Sequence, residues 1–252
     1  MDRAGMVRDF ALEAIGSPYV YGGTGARCTP AYRQARMAQY PACAKAIQAQ
    51  CPRLLGRAAG CAGCRYAGRS CFDCAQLVRR AFLAAGISLP SGASTQWKTG
   101  NWAIKGLLVP EAFQAVCALY RESGDKDYPM RHTGISLGDG RVADARGHTS
   151  GVLLSRQGDY PWTHYAIPRG MTAPSLPPLP PGGELGPGSR GQAVRALQER
   201  LMALGFPLAR FGADGIFGRE TTGALRAFQH VAGLSPTGLG DHETLKWLGI
   251  IK

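Results

Sequence analysis

Residues 172–188 read TAPSLPPLPPGGELGPG. Proline cannot donate to a helix or a sheet, and glycine resists being ordered in either, so no packed element runs through this stretch. The chain must therefore fold as two pieces joined by an extended, semi-rigid spacer. We expect a large domain over 1–171, a linker over 172–184 and a small domain over 185–252.

With 252 residues, 45% of them hydrophobic and 18% charged, each piece has the material for a core, and a disordered polyelectrolyte is excluded. The 29 Lys+Arg against 17 Asp+Glu give a net charge of +12, which favours a polyanionic partner: nucleic acid, a membrane surface or an anionic wall polymer. No stretch approaches the ~18 apolar residues of a membrane span, and MDRAGMVRDFALEAIG carries no apolar leader. The expectation is a soluble monomer that needs some other route to any site outside the cytoplasm.

In the large domain, Met6, Phe10, Ala14 and Ile15 mark one face of an opening helix, and Thr29-Pro30 starts a helix that runs to about Gln39. A third helix runs from Cys74 to about Ala85, with Leu77, Val78, Ala81 and Phe82 inward. The texture then becomes stranded: 115–121, 131–137, 141–146, 151–155 and 164–168. Helices followed by an antiparallel meander make an α+β fold.

Cys74 opens its helix, where unsatisfied N–H groups and the helix dipole favour a thiolate, and Asp73 is placed to cap. A cysteine nucleophile also needs a base and an orienting group. His132 is the candidate base. Around Gly138-Asp139-Gly140 a three-residue hairpin loop pairs Ser136 with Val142 and Gly134 with Asp144. That register puts His132 and Asp144 on one face as diagonal neighbours, roughly 7–8 Å apart at the backbone. The carboxylate would then hold Nδ1 and leave Nε2 for the thiol. His148 is the runner-up for the third position. The bland alternatives are a buried structural thiol and a satisfied strand histidine.

The segments GSPYVYGG, FDCAQLVRRAF and RHTGISLGDGRVADARGH, in that order, resemble the NlpC/P60 family of papain-like cysteine peptidases, which cut peptidoglycan stem peptides. The resemblance implies catalytic Cys74, His132 and Asp144, with Tyr19 stabilising the oxyanion and Asp73 and Gln76 lining the substrate pocket. It also implies that catalysis needs no cofactor. Cleavage at the D-Glu–diamino acid bond is the expectation. An amidase or transferase using the same triad, and an inactive wall-binding protein, stay open, because Cys-Ala75-Gln76 replaces the family's Cys-Ser-Gly and residues 24–70 form an unusually long insert.

The C-terminal segments GSRGQAVRALQERLMALGF, GADGIFGRETTGALRAFQHVAGL and TGLGDHETLKWLGI resemble the peptidoglycan-binding domain 1 repeat and read as a three-helix bundle. Phe217-Gly218 and Leu239-Gly240, each followed by a threonine four residues after the glycine, form an internal echo. Asp214 and Phe217 are the candidate wall contacts, with roles in the core and turn open for both. Peptidoglycan then becomes the expected partner, nucleic acid is set aside, and the cell wall is the expected site of action. A phage-type lytic enzyme released by lysis or a holin fits this picture, as does another export route.

The insert remains. Cys51, Cys61, Cys64 and Cys71, spaced C-x9-C-x2-C-x6-C in a core-poor segment, are a candidate structural zinc set; disulfides and free thiols are the alternatives, and Cys28 and Cys43 fit any of them. A thioredoxin-like reading of Cys71-Phe72-Asp73-Cys74 lacks the surrounding βαβ pattern. Cys117 reads as a core thiol.

Overall fold

In the computed structural model, residues 2–108, 110–171 and 183–251 are described. Residues 172–182, most of the expected linker, lie outside them. The chain divides into two compact units, Met1–Lys105 with Ala112–Ala173 making the first and the remaining residues the second.

The first unit opens with α1 (Arg3–Glu13), capped by the Asp2 carboxylate, which accepts from the Gly5 N–H. Its buried stripe is Val7 and Ala11, continued by Ala14, while Met6 is 39% exposed. Of the expected face, Ala14 is buried and Phe10 and Ile15 pack against the core as read, while Met6 alone turns to solvent. The insert follows: β1 (Thr24–Arg27), α2 (Pro30–Gln39), α3 (Ala44–Ala49) and β2 (Ser70–Phe72). Thr29 caps α2 and Pro30 starts it, as the sequence predicts. β1 and β2 pair antiparallel and close the neck of the insert.

α4 (Cys74–Ala84) buries Leu77, Val78, Ala81 and Phe82, the three larger side chains contributing about 1.5–3 kcal/mol each. The helix ends at Gly86, whose φ of +76° permits the left-handed turn in which Ile87 N–H returns to the Phe82 carbonyl. After α5 (Ala93–Thr99) come β3 (Trp102–Leu107), β4 (Val116–Glu122), β5 (Met130–Leu137), β6 (Arg141–Gly147), β7 (Gly151–Arg156) and β8 (His164–Pro168). They form one six-stranded sheet, ordered β3-β8-β4-β5-β6-β7. Side chains of α1 and α4 pack with Ala118, Ile135, Leu137, Ala143 and Ala145 of this sheet in a single core. α5 and β3 escaped the sequence reading, since both are short and carry mixed patterns.

The hairpin register is the one the three-residue loop requires: Ser136 pairs with Val142 and Ile135 with Ala143. Gly138 and Gly140 both adopt positive φ, which the loop needs. At Gly134 a Cβ would come within 3.0 Å of Asp144 Cβ and 2.7 Å of the Trp162 ring. Only glycine lets that ring lie flat across the strand.

The second unit holds α6 (Gln192–Ala203), α7 (Arg219–Val231) and α8 (His242–Trp247), packed around Val194, Leu197, Leu201, Leu225, Leu245 and Leu248. Two buried amides organise it. Gln198 donates to Asp214, the Ile216 carbonyl and Thr221, and accepts from the Gly215 N–H. Gln229 repeats the pattern with Thr237, the Leu239 carbonyl, Thr244 and the Gly238 N–H. The internal echo is therefore real but shifted by one residue: Ile216 corresponds to Leu239, and Thr221, not Thr222, corresponds to Thr244. Phe217 is 1% exposed and belongs to the core, and Asp214 closes a turn by accepting from the Ile216 N–H. The core takes up the Phe217 side chain, while Asp214 stays exposed at its turn.

Replacing either glutamine by leucine orphans a glycine N–H and a threonine hydroxyl and should cost about 2 kcal/mol. Hydrogen exchange should rise in α6–α8 for both variants and stay unchanged in β4–β6. Equal protection in wild type and variants would show that the amides do not brace the bundle.

Candidate active site

Cys74 is presented by the first turn of α4, and the Asp73 carboxylate accepts from the Gln76 N–H at 2.7 Å. Pro18 to Val20 runs beside Phe72, with Val20 N–H on the Phe72 carbonyl, which seats Tyr19 next to the nucleophile helix. Burial, then the charges of Cys74 and Asp73, push the Tyr19 phenol far up, so it remains a donor. Asp73 is itself raised to about 6 by burial, opposed by the N–H groups of Gln76, Gly22 and Ala75.

The thiol departs from expectation. Burial, followed by the neighbouring Asp73 charge, pushes Cys74 up to about 12, against the pull of the Thr133, Ala75 and Cys74 N–H groups. The helix start does favour thiolate, but here desolvation outweighs it.

His132 and Asp144 meet as the register requires: Nε2 lies 2.8 Å from Asp144 Oδ2. The nitrogen is the opposite of the one anticipated. A carboxylate only accepts, so Nε2 carries a proton, and Nδ1 is the ring nitrogen left to face the thiol. Asp144 is fully buried and 0% exposed, and its second support is Arg146, whose Nε and Nη2 donate to Oδ2 and Oδ1 at 3.1 Å each. Nη2 also reaches Ser155 Oγ on β7. Trp162 stacks on the imidazole at 5.5 Å and 16°, and Tyr160 lies 5.1 Å away.

These two clusters come together at consecutive residues, since the Thr133 N–H beside His132 is the one that reaches the Cys74 sulfur. Among the described residues no hydrogen bond joins Cys74 to His132, and Nδ1 makes none. Such bonds are often long without substrate and tighten around it.

Other expected site residues are placed differently. His148 does not reach Asp144; its ring packs edge-on against Tyr19 at 4.8 Å, and burial lowers its pKa. Gln76 is buried and donates to Ser91, with which it lines a pocket beside Ser88, Leu89 and Pro90, and its Oε1 has no hydrogen-bond partner among the described residues. Asp73 caps the helix as expected and is half-buried. Cys51, Cys61, Cys64 and Cys71 are not gathered: among the described residues no group of three or more His, Cys, Asp or Glu is placed to hold a metal ion. β2 buries Cys71 with Cys28, Val20 and Ile47, and Cys64 packs against the same cluster. Sequence reading missed Arg146, Ser155, Tyr160 and Trp162. Arg146 had a signal, lying two residues from Asp144 on the same strand and therefore on the same face; the two aromatics sit in an irregular loop and had none.

Residues 190–248 match a family model described as "Putative peptidoglycan binding domain". Over 64 residues the chain is 44% identical to N-acetylmuramoyl-L-alanine amidase CwlL of Bacillus licheniformis, a match covering 25% of this chain and 18% of the amidase. The chain thus spans about a fifth of the length of that relative. Among solved structures, the peptidoglycan hydrolase RipB of Mycobacterium tuberculosis aligns with 20% identity and a TM-score of 0.40 over 68% of this chain and 66% of RipB. RipD of the same organism, described as a non-catalytic NlpC/p60 domain protein, aligns with 16% identity and a TM-score of 0.40 over 67% of this chain and 98% of RipD. Among the described residues no helix is long and apolar enough to cross a membrane.

Asp73→Asn keeps a good cap and removes the charge that helps hold Cys74 up. The pH profile of Cys74 alkylation should move to lower pH. Because Asp73 is ionised above about 6, the difference should be present there and vanish below it. An unmoved profile, read by iodoacetamide trapping and peptide mass spectrometry, would show that Asp73 does not govern the thiol.

Proposed function

We propose that this chain is a peptidoglycan hydrolase in which Cys74 attacks a stem-peptide carbonyl at the D-Glu–diamino acid bond. The observation that carries the reading is the 2.8 Å His132–Asp144 pair, set beside a cysteine at a capped helix start. His132 Nδ1 would take the thiol proton as substrate binds, acting as a general base on a neutral thiol. Tyr19 and the Cys74 N–H would hold the developing oxyanion. His132 would return the proton to the leaving amine, and water would then release the acyl group from sulfur. The C-terminal unit would anchor the chain to the wall and raise the local concentration of stem peptides around Cys74. The site of action would be the cell wall, in a phage-type lytic setting or a bacterial one.

A second reading has its own support. The raised Cys74 thiol and the absence of a Cys74–His132 hydrogen bond fit a wall-binding protein built on a retired enzyme.

Purified peptidoglycan incubated with wild type and with Cys74→Ala separates the two. The peptidase reading expects new stem-peptide fragments by mass spectrometry from the wild type alone, with both proteins pelleting with the wall. Binding by both and fragments from neither would establish the second reading. Fragments from both would remove Cys74 from the chemistry.

A further inference from the structure

Arg33 is the largest fully buried side chain of the insert, 0% exposed. Its Nη1 donates to the Ile47 carbonyl at 2.9 Å, its Nε to Cys28 Sγ at 3.3 Å, and its Nη2 has no hydrogen-bond partner among the described residues. A buried guanidinium needs an anion. Residues 24–70 contain eight Lys or Arg and no Asp or Glu, so the insert offers no carboxylate. What it does offer is thiols. Cys28 and Cys71 are both buried in one small cluster with Val20, Ile47 and Tyr66. Cys28 follows β1, its N–H bonded to the Arg69 carbonyl at 2.7 Å, and Cys71 lies on the partner strand β2.

We propose that Cys28, held as the thiolate counter-ion of Arg33, and Cys71 form a specific dithiol that closes to a disulfide when the protein meets a low-molecular-weight disulfide. In agreement, Cys28 is lowered chiefly by a hydrogen bond from Cys71, with Arg33 adding to it, and Cys71 is raised as the donor.

The chemistry is thiol–disulfide exchange. The Cys28 thiolate attacks one sulfur of RSSR, forming a mixed disulfide and expelling RS⁻. Cys71 gives its proton to that RS⁻, and the Cys71 thiolate then attacks the Cys28 sulfur and expels a second RS⁻, which takes a proton from water. Two protein sulfurs are oxidised and one small disulfide is reduced to two thiols. The cross-link would staple the insert's neck three residues before Cys74. The insert has only a small apolar cluster, so brief local opening admits the reagent.

The test incubates the folded full-length protein with oxidised glutathione, blocks residual thiols and maps the peptides. The expected result is a Cys28–Cys71 link with two glutathiones released per chain. Arg33→Met should slow its formation by about tenfold or more through loss of thiolate, and Arg33→Lys should largely restore the rate. Circular dichroism would verify that both variants fold. Linkage of Cys28 to Cys43, Cys51, Cys61 or Cys64 would overturn the proposal. So would Cys28 and Cys71 remaining thiols, a rate indifferent to the charge at position 33, or a stoichiometric metal ion in the purified protein that protects both cysteines.

Discussion

The Asp144 carboxylate is shared between an imidazole and a guanidinium, and the rest of the site is arranged around that sharing. A fully buried carboxylate is costly unless its charge and lone pairs are met. Arg146 meets them with a two-pronged fork, Ser155 steadies the guanidinium, and one oxygen is left for His132 Nε2. None of this survives a change of register, because a one-residue slip between β5 and β6 would send Asp144 to the opposite face. Gly134 guards the same alignment from above, since a side chain there would displace the Trp162 ring that stacks on His132. The sheet register and the proposed chemistry are thus one constraint.

The nucleophile side obeys a different balance. The Tyr19 segment lies beside the helix that starts at Cys74, and the burial around the sulfur disfavours the thiolate. In the proposed reaction, charge separation would wait until substrate supplies the oxyanion that Tyr19, kept protonated by its own burial, could meet.

Where the physical signal was local, the sequence was legible. The Asp73-Cys74 cap, the Thr29-Pro30 helix start and the Gly138-Asp139-Gly140 hairpin each rest on a few adjacent residues, and each appears as read. From the hairpin the His132–Asp144 pairing followed, though not which ring nitrogen it would use, since that depends on a rotamer the pattern does not encode. Nor could spacing reveal burial: the thiol's upward shift and the loss of Phe217 to the core are consequences of packing. The cysteine spacing carries no information about the β-ladder that buries Cys71 with Cys28, Val20 and Ile47. In the C-terminal unit the echo was visible one residue out of phase, because the two glutamines that define it stand far from the loops they brace.

The two units carry complementary parts of the proposal, one a wall-binding match over 190–248 and the other a cysteine, histidine and aspartate in peptidase order. The measurement that bears most directly on them is acid-quenched intact-mass analysis of the protein mixed with a stem peptide, followed by mapping of the adduct. A thioester confined to Cys74, rising and decaying with turnover and absent from Cys74→Ser, is the predicted result. Turnover without any adduct on Cys74 in the wild type, together with undiminished turnover in Cys74→Ser, would contradict it.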